Sequence, residues 1–269
     1  MPNVLTEPQV TQFRELGYVA GIPVLSRAEA AAALATLRAW EKSSGKSVKE
    51  TMRGKAHLLL KCLSDLVHHP RLVAALQDVL GPNVLCLESG FFWKNPHDSS
   101  FVSWHQDNTY LQLQPPAALA AWLALTDSKK DNGALKVIPG SQKQGDLPYD
   151  MIPGENNMLK LSREVRGIDP GQAVHIELEP GELSMHANHV VHGSEPNGSD
   201  RPRIGWSCIF AAPHARMMAR GAMGATLVAG EDTHGYYEIE PVPRFDFDPV
   251  ALAAYERSMS GPLAIYKPK

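Results

Sequence analysis

The chain has 269 residues, enough to bury one large hydrophobic core, and no linker-like tract interrupts residues 1–269, so a single domain is expected. Its net charge of −3 gives no basic footprint for nucleic acid, and no run of 18 apolar residues predicts a membrane span. The first residues lack the pattern of a signal peptide and the cysteines are scattered, so we expect a reducing, cytoplasmic location.

The N-terminal part, about residues 5–82, carries three helical patterns. Thr6 is a suitable N-cap with Glu7 in the first turn, and Ser26 followed by Glu29 has the spacing of a capping box before an alanine-rich stretch. The third pattern has apolar residues at helical spacing and stops at Gly81-Pro82. We expect these helices to flank a sheet, and they are predicted over residues 6–17, 26–43 and 69–80.

The middle of the chain, about residues 83–212, has the character of a β-sheet core. Residues 84–93 form a buried strand pattern, and further short strand-like runs follow with Gly and Pro between them. Many short strands predict a sandwich or barrel. The polar stretch 145–172 is long for a loop, and we interpret it as a lid over a substrate. In the C-terminal extension, 213–269, only residues 251–258 suggest a short helix. The further strands are predicted over 101–105, 118–125, 134–138, 173–178, 182–185, 190–194 and 204–211.

The stretch Trp104-His105-Gln106-Asp107 carries a candidate metal site. Residues two apart on a strand point to the same side, so His105 and Asp107 present an imidazole and a carboxylate together. One more histidine would complete the two-His, one-carboxylate set of non-haem Fe(II) enzymes, which leaves positions open for a co-substrate and O2. A His-x-Asp pair alone is common by chance, so a second stretch must support it.

That second stretch runs from His192 to Arg203. Asn197-Gly198 is a strong signal for a type I′ hairpin, and a two-residue loop there would pair His192 with Arg203. The hairpin would place a metal ligand beside a guanidinium, the group best suited to grip a carboxylate. Pro202 weakens this register because proline cannot donate to the ladder.

Other histidines and lysines compete for a role. On one extended strand His186 would share a face with His192, while His189 would point away. Only His192 has an arginine at the hairpin-matched position, so we favour it as the ligand. His186 is then a neighbour of the ligands, a substrate contact or a surface residue. Four residues before the site could contact an anionic substrate, although solvation is the commoner fate of a lysine: Lys55, His57, Lys61 and Lys94.

Together these motifs resemble the phytanoyl-CoA dioxygenase (PhyH) family of Fe(II)- and 2-oxoglutarate-dependent oxygenases. The resemblance extends through residues 121–125, 132–135 and 138–141 and covers about residues 5–250. It implies a mainly β fold, a double-stranded β-helix (jelly roll, cupin-like) with flanking N-terminal helices. It also implies roles for seven residues: His105, Asp107 and His192 as iron ligands, Arg203 and Ser194 at the distal carboxylate of 2-oxoglutarate, and Gln106 and Trp122 as further neighbours of that co-substrate.

The activity implied by the resemblance is oxidative. Such an oxidoreductase uses Fe(II), 2-oxoglutarate and O2 to hydroxylate an unactivated C–H of a small molecule, and forms succinate and CO2. Asp107 favours hydroxylation over halogenation, because related halogenases have a small residue there. Halogenation, desaturation, cyclisation, zinc hydrolysis and a non-enzymatic jelly-roll binding protein stay open as alternatives. The substrate and the oligomeric state are not predicted.

Overall fold

The structure, a computed structural model, describes residues 4–159, 161–218 and 223–261. Its helices are α1 (Glu7–Leu16), α2 (Arg27–Ser44), α3 (Val48–Thr51), α4 (Lys61–Val67), α5 (Pro70–Leu80), α6 (Asn108–Leu111) and α7 (Pro249–Ser260). Its strands are β1 (Tyr18–Pro23), β2 (Val84–Lys94), β3 (Val102–His105), β4 (Leu113–Gln114), β5 (Ala118–Ala124), β6 (Leu135–Val137), β7 (Tyr149–Met151), β8 (Arg163–Val165), β9 (Val174–Ile176), β10 (Glu182–Ala187), β11 (His192–Ser194), β12 (Arg203–Ala211), β13 (Arg216–Met217), β14 (Gly224–Ala229) and β15 (Glu238–Ile239).

The three predicted N-terminal helices are confirmed, and two of them, α1 and α2, begin at the predicted caps. Thr6 accepts a hydrogen bond from the Gln9 N–H, and the Gln9 side chain accepts one from the Thr6 N–H at 2.8 Å. Ser26 and Glu29 form the same reciprocal capping box at the start of α2. These bonds satisfy N–H groups that have no partner inside the helix. Within the described ranges, no helix combines the length and the apolar character needed to cross a bilayer.

Two β-sheets form the predicted jelly-roll core, which is therefore confirmed. The major sheet has the strand order β1-β10-β5-β12-β2-β14-β15, and the minor sheet has the order β3-β11-β6-β9. Neighbouring strands are antiparallel in both sheets except for β14 and β15, which are parallel. Residues of both sheets line one cavity between them, which is where the candidate site lies.

Side chains of the major sheet point alternately toward the core that packs against the helices and toward the cavity. On β12, Ile204, Trp206 and Cys208 belong to the large core that also contains buried residues of α1, α2, α4 and α5. The residues between them face the other way, because successive side chains of a strand point to opposite sides. The inner face of β12 is therefore formed by Arg203, Gly205, Ser207 and Ile209.

Three strands that the sequence did not predict extend the major sheet, namely β1, β14 and β15. β1 lies in the N-terminal part that was expected to be helical, and it pairs with β10. β14 lies in the expected C-terminal extension, and it pairs with β2. β1 is short, contains Gly21 at positive φ and ends at Pro23, so its pattern does not resemble a strand. The major sheet thus draws strands from both sides of residues 83–212.

The predicted hairpin at Asn197-Gly198 is wrong. β11 pairs with β3 and β6 in the minor sheet, whereas β12 pairs with β2 and β5 in the major sheet. The segment between them crosses from one sheet to the other, and the Asn197 side-chain amide donates to the carbonyls of Asn95 and Arg201 at 2.8 and 2.7 Å. Arg203 consequently lies opposite Lys94 rather than opposite His192.

A buried polar network joins the segment before β2 to the C-terminal segment. The Lys55 ammonium lies 2.8 Å from a Glu240 carboxylate oxygen, and both side chains are almost fully buried. The His57 ring nitrogens contact the hydroxyls of Ser89 and Thr226 at 2.7 and 2.9 Å. The expectation that Lys55 is solvated is therefore wrong, and both Lys55 and His57 find their polar partners inside the protein.

Candidate active site

His105 and His192 lie directly opposite each other on β3 and β11, with ring centroids 4.0 Å apart. Asp107 follows β3 at the start of α6, and its Oδ1 lies 3.4 Å from Nε2 of His105 and 3.7 Å from Nε2 of His192. Two atoms that each bind one ion at about 2.1 Å stand roughly 3–3.6 Å apart. The predicted ligands are thus brought together close to metal-binding distances, with one ligand atom of each within 4.8 Å of the others.

Backbone carbonyls orient both imidazoles. Nδ1 of His105 lies 2.9 Å from the Ser103 carbonyl oxygen, and Nδ1 of His192 lies 2.9 Å from the Val190 carbonyl oxygen. Because a carbonyl only accepts, each ring must carry its proton on Nδ1 to make this bond. The Nε2 lone pairs are then free to bind a metal on the side of Asp107.

The charges of these groups suit a divalent cation. Burial lowers the pKa of His192 well below its ordinary value, so its ring is neutral at pH 7. Burial opposes ionisation of Asp107, and the pKa of this carboxyl falls well below its usual range only because of the positive charge that the imidazoles of His192 and His105 carry when protonated. Among the described residues, Asp107 Oδ2 is buried without a hydrogen-bond partner. A cation bound at the neighbouring oxygen would offset the cost of that buried charge, so the residues fit a metal.

An anion site lies beside the metal ligands. Arg203, Ser194 and Trp122 line the same cavity as the three ligands, and the Arg203 guanidinium carbon lies 5.3 Å from the Trp122 ring centroid. Arg203 is 2% exposed, and its Nε and one terminal nitrogen have no hydrogen-bond partner within the described part of the chain. Burial lowers the pKa of Arg203 to about 10, so it remains charged at neutral pH. A buried cation with free donors is suited to a carboxylate.

Lys94 also belongs to this site. Solvation, the commoner fate expected for this lysine, is therefore wrong. The side chain is buried, and Nζ donates to Ser194 Oγ at 2.7 Å and also to the Glu195 carbonyl. Burial, assisted by the charge of Arg203, lowers the pKa of Lys94 to about 6. Because Lys94 fills an acceptor position of Ser194 Oγ, the hydroxyl proton can be donated into the cavity. Only the β2–β12 register, which the sequence does not reveal, pairs Lys94 with Arg203.

Gln106 does not line the cavity. Its Nε2 donates to the carbonyls of Gly145 and His189 at 2.8 and 2.7 Å, and its Oε1 accepts from the Leu147 N–H at 2.9 Å. Gln106 therefore anchors the start of the 145–172 segment through backbone groups, and its place beside the co-substrate stays a prediction. This segment is also more regular than expected, since β7 and β8 pair within it and residues 155–159 line the cavity.

His186 and His189 lie in different surroundings. His186 lies on β10 of the major sheet and faces His192 across the cavity, with ring centroids 4.3 Å apart. Burial lowers the pKa of His186 to about 4. His189 lies in the turn before β11 and contacts the Asp146 carboxylate at 2.8 Å and the Asn108 amide at 3.2 Å. His186 and His192 therefore face one cavity from two sheets, not from one strand as predicted.

The cavity has a volume of about 570 Å³, within the range of small-molecule sites. It extends across the major sheet along one row of paired residues, His186, Ala120, Ile209 and Glu88. Three strand spacings place the two ends of this row roughly 14 Å apart. Space for a further ligand therefore extends away from the metal ligands, between apolar walls that include Phe92 and Leu111.

A jelly roll with two histidines and one aspartate in its cavity defines a metal-binding protein of the non-haem oxygenase type. The chain belongs to the phytanoyl-CoA dioxygenase (PhyH) family, whose model matches residues 13–205. The resemblance predicted from the motifs is thereby confirmed.

Individual relatives show the extent of this similarity. The mouse phytanoyl-CoA dioxygenase domain-containing protein 1 is 32% identical over 149 residues, which cover 51% of this chain and 48% of the mouse protein. The human peroxisomal phytanoyl-CoA dioxygenase is 27% identical over 148 residues, or 53% and 44% of the two chains. The match thus spans about half the length of these curated relatives.

Among solved structures, the non-haem monooxygenase ThoJ has a TM-score of 0.84 and 29% identity over 96% of this chain and 97% of its own, and it is also known as a nickel complex.

Proposed function

We propose that this protein is an Fe(II)- and 2-oxoglutarate-dependent dioxygenase that hydroxylates a C–H bond of a small molecule and releases succinate and CO2. The observation that carries the proposal is the convergence of a metal-ligand set and a buried anion site in one cavity. Two imidazoles and one carboxylate leave coordination positions open, as this chemistry requires. Bound iron with 2-oxoglutarate and O2 would supply the oxidising power that the side chains lack.

The protein side chains bind and orient the reactants. His105, Asp107 and His192 would hold the ion. Ser194 lies two residues beyond His192 on β11, about 7 Å along the strand, which is comparable to the length of a five-carbon dicarboxylate. One end of 2-oxoglutarate could therefore reach the metal while Ser194 and Arg203 bind the other carboxylate, with Lys94 fixing the orientation of the Ser194 hydroxyl.

The carboxylate of Asp107 supports hydroxylation over halogenation. Its Oδ1 faces both ligand imidazoles, so it would fill the position that a halide needs on the metal. The remaining cavity suits a small polar molecule or a natural-product intermediate, and residues 155–159 would cover it. We propose on this basis that segment 145–172 is a lid that shields the bound substrate from water.

The first experiment tests cofactor binding without knowledge of the substrate. Anaerobic addition of Fe(II) and 2-oxoglutarate should produce the weak visible charge-transfer band of a chelated complex. His105→Ala should abolish the band, whereas His175→Ala, which changes a half-buried histidine on β9, should retain it. A metabolite panel screened for O2-dependent succinate formation then identifies the substrate class. Absence of the band in the unaltered protein, or metal-dependent turnover without O2, would contradict the proposal.

A further inference from the structure

We infer that His186 is a positioning residue for Asp107: its Nε2–H donates to Oδ2, so that the carboxylate presents only Oδ1 to the metal. The inference rests on the proposed metal site and adds a residue to it. Nε2 of His186 lies 3.7 Å from Oδ2, whereas the two ligand histidines approach Oδ1.

The two groups are complementary and otherwise unsatisfied. In the part of the chain that the structure describes, Asp107 Oδ2 and both ring nitrogens of His186 are buried without hydrogen-bond partners. Each such group costs free energy unless it finds a partner. A small rotation about the Cβ–Cγ bond of the aspartate, which is a soft torsion, brings the acceptor within hydrogen-bond distance of the imidazole.

The environment of His186 distinguishes it from the two ligand histidines. His105 and His192 each have Nδ1 bound to the carbonyl two residues earlier, which fixes the ring with Nε2 toward the metal. His186 lacks that bond, so its backbone does not select its tautomer. Its main chain is nevertheless held on both sides, because β10 pairs with Tyr18 of β1 and Ala120 of β5 at this position. The Asp107 carboxylate, with Oδ2 3.7 Å from Nε2, is an acceptor that can set the orientation and tautomer of this imidazole.

This contact matters because a carboxylate can bind a metal through one oxygen or through two. An Asp107 bound through both oxygens would occupy a position that 2-oxoglutarate or O2 needs. A hydrogen bond at Oδ2 keeps that oxygen engaged elsewhere. Loss of a residue that supports a metal ligand in this way typically weakens metal binding about 10- to 100-fold.

Two amide variants give a matched test. The amide nitrogen of glutamine can replace the Nε2–H of histidine, whereas that of asparagine falls near the Nδ1 position and does not reach Oδ2. Metal-free protein would be titrated anaerobically with Co(II), whose visible bands report both affinity and coordination number. His186→Gln should retain the affinity and the bands of the unaltered protein. His186→Asn and His186→Leu should bind Co(II) about 10-fold more weakly or worse and show altered band intensity.

The control is His175→Leu, which changes a half-buried histidine outside the cavity lining and should bind Co(II) normally. Equal Co(II) affinity and equal spectra for the Gln and Asn variants would overturn the inference, whether both match the unaltered protein or both are impaired. The comparison of these two polar variants holds even if His186→Leu fails to fold. Absence of Co(II) binding by the unaltered protein would instead refute the proposed metal site itself.

Discussion

The contact between Trp122 and Arg203 depends on the absence of a side chain at residue 205. Gly205 lies on the inner face of β12, and the Trp122 indole passes directly over it. A Cβ built at this glycine would lie 1.8 Å from Cζ2, 2.0 Å from Cε2 and 2.5 Å from Cη2 of the indole. Gly205→Ala must therefore move the ring by roughly 1.5–2 Å to restore ordinary contact distances.

The expected magnitude follows from the packing around the ring. Trp122 is 4% exposed, so its ring has little free space to enter. Overpacking of this kind costs about 1–3 kcal/mol of unfolding free energy. Displacement of the indole also removes the buried guanidinium–indole contact, which contributes up to about 2 kcal/mol and orients Arg203. We expect the dissociation constant of 2-oxoglutarate to rise by about 5- to 30-fold.

The assay is an anaerobic titration of the Fe(II) complex with 2-oxoglutarate, combined with thermal unfolding. Gly90→Ala is the matched control, because Gly90 lies in the neighbouring strand beside the same cavity and its added Cβ would meet only the Gly54 nitrogen, at 3.7 Å. Unchanged 2-oxoglutarate affinity and melting temperature in Gly205→Ala would refute the steric argument. Equal impairment of Gly90→Ala would show that the effect is not specific to the indole.

Three further perturbations test other parts of the site. Arg203→Ala should weaken 2-oxoglutarate binding by about 2–3 kcal/mol through loss of a charge-assisted contact, measured by the same titration, and normal binding would contradict the anion site. Lys94 has a pKa of about 6 in the free protein, and a bound carboxylate should raise this pKa. The affinity for 2-oxoglutarate should therefore be highest below pH 6 and should fall as the pH rises above 6. Lys94→Met should flatten this pH profile. Gln106→Leu leaves the N–H of Leu147 without its acceptor. It should therefore lower the free energy of unfolding by about 1–3 kcal/mol and speed proteolysis within residues 145–172. The control Gln144→Leu, at an exposed position, should have neither effect.

Local signals in the sequence were sufficient for helices α1, α2, α5 and α7, for most strands between residues 83 and 212 and for the His-x-Asp pair of the proposed metal site. Capping boxes are short-range chemistry, so the starts of α1 and α2 are encoded within four residues. His105 and Asp107 lie two residues apart, so their proximity was also local. The long-range partners were not predictable in this way. His192 and Arg203 do meet in one cavity, but two facing sheets bring them there and the hairpin that we predicted does not form.

The residues whose roles the sequence left open share a cause. Lys94 depends on the β2–β12 register, and the environment of His186 depends on its position in β10 opposite the minor sheet. Both are strand pairings between segments far apart in the chain, which hydrophobic periodicity does not specify. The same limit applies to Gln106. The family resemblance suggested a site contact for it, whereas its hydrogen-bond partners are backbone groups about 40 and 80 residues away.

The Lys55–Glu240 pair bears on how the protein can be shortened. The family match ends at residue 205, before β14 and before Glu240. A truncation at that boundary would leave the Lys55 ammonium group buried without its counter-ion, which would lower the free energy of unfolding by about 3–5 kcal/mol. That loss is a large part of the net stability of an ordinary domain, about 5–15 kcal/mol. The smallest fragment that folds should therefore extend past residue 240.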